Sequence, residues 1–229
     1  MMKRCLLMAL LACASTAAGQ VQAPPASEAA KNRDPHGPPD VSHYIQSLED
    51  SKRDAYQKPD EVVKALKLRP DDVVADLGCG PGYFTRRLAR AVPQGYVLAV
   101  DVEPRQLDRL HEHLKSEAVE NVVPVLARVD DPCLPPGRVD VLLVVDTYHH
   151  FDDRAVYLEK LKRALKPDGR LVIIDFHKQP LPVGPPPEHK MAREQELGEV
   201  EAAGFELVEE PTFLEYHYFL VLKKKREAR

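Results

Sequence analysis

Twelve residues, VVADLGCGPGYF at 73–84, constrain the fold of this chain more than any other stretch. An apolar run closes on the carboxylate of Asp76 and breaks at once into glycines at 78, 80 and 82. Such a run reads as a strand. Glycines at alternate positions leave a turn of bare backbone at the strand's end, where a ligand can approach the main chain itself. YFTRRLARAV then reads as a helix, so the unit is a strand, a ligand-holding turn and a helix.

The rest of the chain repeats that alternation. GYVLAVDV reads as a strand, and EPRQLDRLHEHLKSEA as a helix with Pro104 near its start. VVPVLARV is a strand, and VDVLLVVDTYHHF holds an unbroken apolar run from Val141 to Val145, the mark of a strand buried on both faces. DDRAVYLEKLKRALKPDG reads as a helix closed by Pro167 and Gly169, RLVIIDFH as another buried strand, and HKMAREQELGEVEAAG as a helix ended by Gly204. FELVEEPTFL and YHYFLVLKKK alternate as a terminal antiparallel pair. Ahead of the glycine turn, HYIQSLEDSKRDAYQKPDEVVKALKL reads as two helical pieces, the second opened by Pro59. Strand and helix thus alternate five times before a hairpin. The expectation is an α/β fold: a doubly wound, Rossmann-like sheet of seven strands, mostly parallel, with a C-terminal antiparallel hairpin. Ligands of such sheets bind beyond the carboxyl ends of the strands. Asp76, Asp101, Asp146 and Asp175 all stand at such ends.

The glycine spacing narrows the ligand. A dinucleotide turn wants G-x-G-x-x-G, but Tyr83 stands where its third glycine belongs, and Asp76 would repel a pyrophosphate. A P-loop is excluded because no Lys-Ser/Thr pair follows the glycines. The carboxylate of Asp76 favours a cation instead. Asp101 closes the second strand 19 residues after Gly82, where an acid accepts both hydroxyls of a ribose. An ammonium or sulfonium joined to a nucleoside satisfies both acids, and that ligand is S-adenosyl-L-methionine (SAM).

VVADLGCGPGYFTRRLA followed by VLAVDVEPRQLDRL resembles the first two motifs of class I SAM-dependent methyltransferases, and LKPDGRLVIIDF is similar to a later strand of the same family. The resemblance spans residues 41–222 and is nearest to the small-molecule branch that includes ubiquinone/menaquinone-type C-methyltransferases. It implies an enzyme that moves a methyl group from SAM to a small molecule by in-line transfer. It places Gly78, Gly80 and Gly82 at the methionine part of SAM, Asp76 near its amino group, Asp101 at its ribose and Asp146 in the same cofactor-binding set. Relatives usually carry a Gly-Asp-Ala after the third strand, whose Asp accepts the adenine amino group. Here Arg128 takes that place, and Asp130 or Asp131 is the candidate substitute.

DTYHHF at 146–151 follows the fourth strand, where the family brings substrate beside the methyl group. Methyl transfer needs an aligned nucleophile, and a base if that nucleophile carries a proton. Histidine titrates near neutrality, so His149 or His150 is the candidate base or orienter, with Tyr148 lining the methyl site. Asp175 and His177 belong to the same rim. Tyr56 and Gln57, just before Pro59, are candidates for a lid, and the proline-rich stretch at 179–190 for a wall on the substrate side. Glu49 and Arg53 read as a surface i,i+4 pair, and HEH at 111–113 as a solvated helix face. No metal site is expected, since adjacent histidines point apart and no ligand spacing supports one.

The N-terminus has the layout of a secretory signal over residues 1–19: Lys3 and Arg4, an apolar stretch, then small residues. Cleavage near Ala18 and lipidation at Cys13, within a lipobox-like Leu10-Leu11-Ala12-Cys13, both fit. The protein is therefore expected outside the cytoplasm, periplasmic or lipid-anchored in a bacterium, and cytoplasmic if the leader is not functional. Residues 20–40 read as a Pro/Ala-rich linker and 223–229 as a basic tail. Only Cys79 and Cys133 lie in the body, so no disulfide framework is implied. A net charge of −4 argues against a nucleic-acid partner, and the sequence does not fix the oligomeric state. The alternative to an enzyme is an exported, non-catalytic binding protein for a nucleoside-like ligand on the same fold.

Overall fold

The computed structural model describes residues 41–226. Expectations for the leader and linker at 1–40, and for the last three residues of the basic tail, lie outside the described residues. Among the described residues seven strands form one sheet: β1 Val73–Leu77, β2 Tyr96–Asp101, β3 Val122–Leu126, β4 Val139–Val145, β5 Leu165–Phe176, β6 Phe205–Glu209 and β7 His217–Lys224. Their order is β3-β2-β1-β4-β5-β7-β6. The first five pair in parallel, and β7 runs antiparallel between β5 and β6. This is the expected α/β architecture, with the expected antiparallel close.

The helices are α1 Val41–Leu48, α2 Asp54–Gln57, α3 Pro59–Ala65, α4 Thr85–Ala91, α5 Pro104–Ser116, α6 Arg154–Ala164 and α7 Arg193–Ala202. Local chemistry sets several ends. Pro104 opens α5 behind the Glu103 carboxylate, which caps the amide of Arg105. Asp153 caps α6 through the amide of Val156. The segment before β1 is more broken than the two helical pieces expected. Asp50 caps a single 3-10 turn at Ser51–Arg53, and Lys58 adopts a left-handed φ of 43° because Pro59 bars it from the helical region.

Alternate residues of each central strand feed opposite layers of the core. Ala75, Leu142, Leu171 and Leu220 pack with Leu158 and Leu161 of α6 and Val200 of α7. Val74, Val141, Val172 and Phe219 pack with Val62 of α3 and Leu88 of α4 on the other side. Burial on both faces is why β1 and β4 read as unbroken apolar runs.

Three boundaries differ from the sequence reading. β5 begins at Leu165, ahead of Pro167, because Leu165 pairs with Val139 across an irregular register step. β6 stops at Glu209, short of the segment expected as strand. β7 runs to Lys224, so the first residues assigned to the tail belong to the sheet.

Candidate active site

The strand order reverses between β1 and β4, so a crevice opens beyond their carboxyl ends. A cavity of about 910 Å³ fills it, bounded by the glycine turn, the ends of β2 and β4, the segment before β1 and the proline-rich loop after β5.

The turn is held by the second strand. Gly78 and Cys79 both donate their amides to the carbonyl of Val100, at 2.8 and 3.0 Å. Gly80 donates its amide to Asp101 Oδ2 at 2.8 Å, and Glu103 donates to Asp101 Oδ1 at 2.9 Å. Gly78 has φ +72°, and a Cβ there would lie 2.3 Å from Thr147 Oγ1. Gly78→Ala is therefore expected to cost about 1–3 kcal/mol, read as a lower midpoint in chemical denaturation. An unchanged midpoint would contradict the close packing of the two turns. Gly78 and Gly80 line the cavity, whereas Gly82, also expected at the cofactor, does not. A Cβ on Gly82 would lie 2.4 Å from Leu110 Cδ1, so its bareness admits α5 rather than a ligand.

Both acids of the turn face the cavity. Asp76 is buried, with Thr85 Oγ1 donating to its Oδ2 at 2.6 Å. Burial, reinforced by the nearby Asp101, pushes the Asp76 carboxyl up to about 6. Burial also raises Asp101 to about 6, against the pull of its backbone donors. The adenine expectation for Asp130 needs correction. Its side chain is 77% exposed, 3.4 Å from Arg128, and does not line the cavity. Arg128 and Asp131 close a tight turn, with their main chains bonded in both directions, and that turn carries Asp130 outward. Asp131 caps the amide of Cys133 instead. Ala127, whose amide donates to the Asp101 carbonyl at 2.9 Å, and Val129 line the cavity on that side.

The segment before β1 roofs the turn. Leu48 stands 3.3 Å from where a Cβ on Gly80 would be. Glu49 does not pair with Arg53 as expected; it binds Arg109 at 2.7 Å and also His113, both on α5. Those two contacts outweigh the effect of burial and hold the Glu49 carboxyl below its usual range. His113 is thus engaged rather than solvated. Arg53 lies over the Tyr83 ring at 4.3 Å and donates to Gln57 Oε1 at 3.1 Å. Gln57 in turn donates to Asp146 Oδ2 at 2.6 Å. Tyr56 and Gln57, the lid candidates, both line the cavity, as do Gly184, Pro185 and His189 of the proline-rich loop.

Asp146 ends β4 with a left-handed φ of 51°, its Oδ1 3.3 Å from His217 Nε2. It lines the cavity, with Gln57 holding its Oδ2 while its Oδ1 has no hydrogen-bond partner among the described residues. The backbone then makes a 3-10 turn at Tyr148–His150 that sends the three side chains different ways. Tyr148 was expected at the methyl site. It is instead fully buried in the core, donating to Glu199 Oε2 at 3.1 Å, outside the cavity lining. His149 and His150 line the cavity, their rings 4.2 Å apart. His149 Nδ1 lies 2.7 Å from Asp175 Oδ2. Asp175 is fully buried at the end of β5, and burial raises its carboxyl despite the histidine. His177 packs near Tyr218, at 5.8 Å between rings, away from the cavity lining. Cys79 is buried, Cys133 exposed, and neither is bridged. Among the described residues no group of three or more His, Cys, Asp or Glu could hold a metal.

Fold and cleft define a Rossmann-like α/β protein with a cavity at its strand-order switch, flanked by a glycine turn, the buried Asp76 and the partly buried Asp101. Residues 74–169 match the family described as a methyltransferase domain. The chain is 30% identical over 142 residues to the 27-O-demethylrifamycin SV methyltransferase of Amycolatopsis mediterranei, covering 62% of this chain and 52% of that protein. It is 32% identical over 112 residues to the ubiquinone/menaquinone biosynthesis C-methyltransferase UbiE of Vibrio campbellii, covering 48% and 43%. It thus spans about half the length of these curated relatives. A solved SAM-dependent methyltransferase from Aquifex aeolicus superposes with a TM-score of 0.76 at 28% identity, over 80% of this chain and 97% of that one. Residues 74–169 thus carry a methyltransferase domain, on a fold shared with a solved SAM-dependent methyltransferase. These relatives do not favour the non-catalytic alternative.

The solved Aquifex aeolicus protein is SAM-dependent, and the cleft of this chain fits SAM on its own chemistry. A carboxylate offers about four acceptor positions, and the backbone amides of Gly80 and Glu103 occupy one on each Asp101 oxygen, leaving capacity for a pair of ligand hydroxyls. Among the described residues neither acid is paired with a cation, and two desolvated acids at the turn suit a ligand with positive charge.

Proposed function

We propose that this protein transfers a methyl group from SAM to a small molecule whose nucleophile carries a proton. The observation that carries this reading is the His149–Asp175 contact of 2.7 Å in the cavity that also holds the glycine turn and Asp101. Gly78, Gly80 and Asp76 would hold the amino-acid end of SAM, and Asp101 its ribose. When bound, SAM supplies a methyl group activated by its sulfonium charge. Asp175 fixes the tautomer of His149 by accepting from Nδ1, so that Nε2 takes the acceptor's proton. His150 lines the acceptor's side with Phe176 and Gly184. An acceptor bearing a hydroxyl suits this arrangement, because its O–H proton must leave as the new methyl–oxygen bond forms. The test is transfer of labelled methyl from SAM to a panel of small hydroxyl compounds. Binding of SAM without turnover on any proton-bearing acceptor would count against it.

The acid pair gives this reading a pH signature. Asp76 and Asp101 both titrate at about 6 in the ligand-free protein, above the ordinary 3.8. A cationic ligand favours their ionised forms, so SAM affinity is expected to rise several-fold between pH 5 and 7. Stability of the ligand-free protein moves the other way. An acid whose folded midpoint is raised contributes stability below pH 3.8, and that contribution is lost as pH rises through 6. Calorimetric titrations at pH 5, 6 and 7 check the first slope, and a flat affinity would contradict it.

We further propose that the leader at 1–19 exports the protein, with release after cleavage or retention through lipid on Cys13. Fractionation of expressing cells, with Cys13→Ser as comparison, separates these routes. Recovery of unprocessed protein in the cytoplasm overturns both.

A further inference from the structure

Behind His149 the sheet carries a second buried acid that the site above does not use. Asp175 on β5 and Tyr218 on β7 are partners across the antiparallel ladder, so their side chains share one face. The Tyr218 hydroxyl donates to Oε2 of Glu196, on α7, at 2.8 Å. Asp175 and Glu196 are both fully buried.

Two carboxyl groups in one dry region do not both ionise cheaply, so their partners decide which one keeps the charge. Asp175 accepts the backbone amide of Phe176 on Oδ1 at 2.8 Å and meets His149 on Oδ2 at 2.7 Å. The buried Lys190, in the loop before α7, adds a positive field at Asp175, while Asp146, just after β4, opposes it with a negative one. Glu196 is worse served. Its Oε1 has no hydrogen-bond partner among the described residues. The charges facing it are Asp175 from β5, Glu199 on its own helix and Arg154 from α6, and Arg154 is already tied to Glu199 at 2.6 Å. The phenols of Tyr218 and Tyr148 complete its surroundings. Burial first, then Asp175, raises the Glu196 carboxyl to about 9.

We propose that Glu196 is a positioning residue for the His149–Asp175 pair: it remains a neutral carboxylic acid, so that Asp175 alone carries the negative charge that orients the imidazole. A carboxylate at Glu196 would add a second anion behind Asp175 and tighten the hold of His149 on its proton. The inference rests on the proposed methyl transfer for what that proton does, but the electrostatic link between the two sites stands apart from it.

The test follows His149 itself, by ring carbon resonances of the full chain labelled at histidine and assigned with His149→Gln. In the parent protein His149 is expected to show its own inflection and a second, smaller one near pH 9, as Glu196 loses its proton. Glu196→Gln, close in shape and neutral at all pH, should keep the first inflection and lose the second. Tyr218→Phe removes a hydrogen bond that favours the ionised acid, so the second inflection should move to higher pH. A second inflection that survives in Glu196→Gln, that moves down in Tyr218→Phe, or that is missing from the parent protein overturns the inference. In turnover, a step in kcat near pH 9 that Glu196→Gln abolishes supports it. Both inflections in a protein that transfers no methyl group would support this inference and overturn the proposed function.

Discussion

Asp101→Ala is expected to weaken SAM binding by about 100-fold or more, measured by isothermal titration of the full chain. The size follows from two losses. A hydrogen bond to a charged group contributes about 1.5–3 kcal/mol, and every 1.4 kcal/mol is tenfold in affinity. The substitution removes the acceptor proposed for the ribose hydroxyls, and it also frees the amides of Gly80 and Glu103, now bound at 2.8 and 2.9 Å. The turn that meets the ligand then loses one of its ties to β2, keeping those of Gly78 and Cys79 to the Val100 carbonyl. Asp101→Asn, which keeps the shape and one acceptor oxygen, should fall between the two. A change below threefold in Asp101→Ala would remove Asp101 from the binding site.

His149→Ala is expected to lower kcat by about 100- to 10,000-fold, the range a positioned proton acceptor contributes. SAM affinity should shift less than tenfold in the same variant. Asp175→Asn should lower kcat in the same direction by a smaller factor, because the imidazole stays in place while its tautomer and charge support are lost. Steady-state rates with added imidazole give the decisive check. Partial rescue of His149→Ala and none of Asp175→Asn identifies the ring as the proton acceptor. Equal rates in His149→Ala and the parent would shift the role to His150, whose ring lies 4.2 Å away.

Much of this was legible in the sequence because it is local. The glycine turn, its Asp76 and the spacing to Asp101 sit within 26 residues of one another, and a strand buried on both faces declares itself by composition. What was not legible lies in contacts between distant segments. His149 and Asp175 were both noted at strand ends, but their pairing depends on β4 and β5 lying side by side. Gln57 reaches Asp146 across 89 positions, and Glu49 reaches Arg109 across 60. An i,i+4 rule for Glu49 and Arg53 could not anticipate α5 offering better partners. Tyr148 and Asp130 failed for a subtler reason. Each sits one position from a residue that does line the cavity, and a single step along a tight turn reverses where a side chain points. Gly82 shows the converse: its bareness is required, but by Leu110 rather than by the ligand.

The roof over the glycine turn bears on timing. Leu48 presses toward Gly80, Glu49 clasps Arg109, and Gln57 is bound to Asp146, so the segment at 48–57 is fastened at three places around the mouth of the cavity. We infer that these three fastenings must part for a spent cofactor to leave the cleft, so that the dwell time of the used molecule is set by how often they let go together.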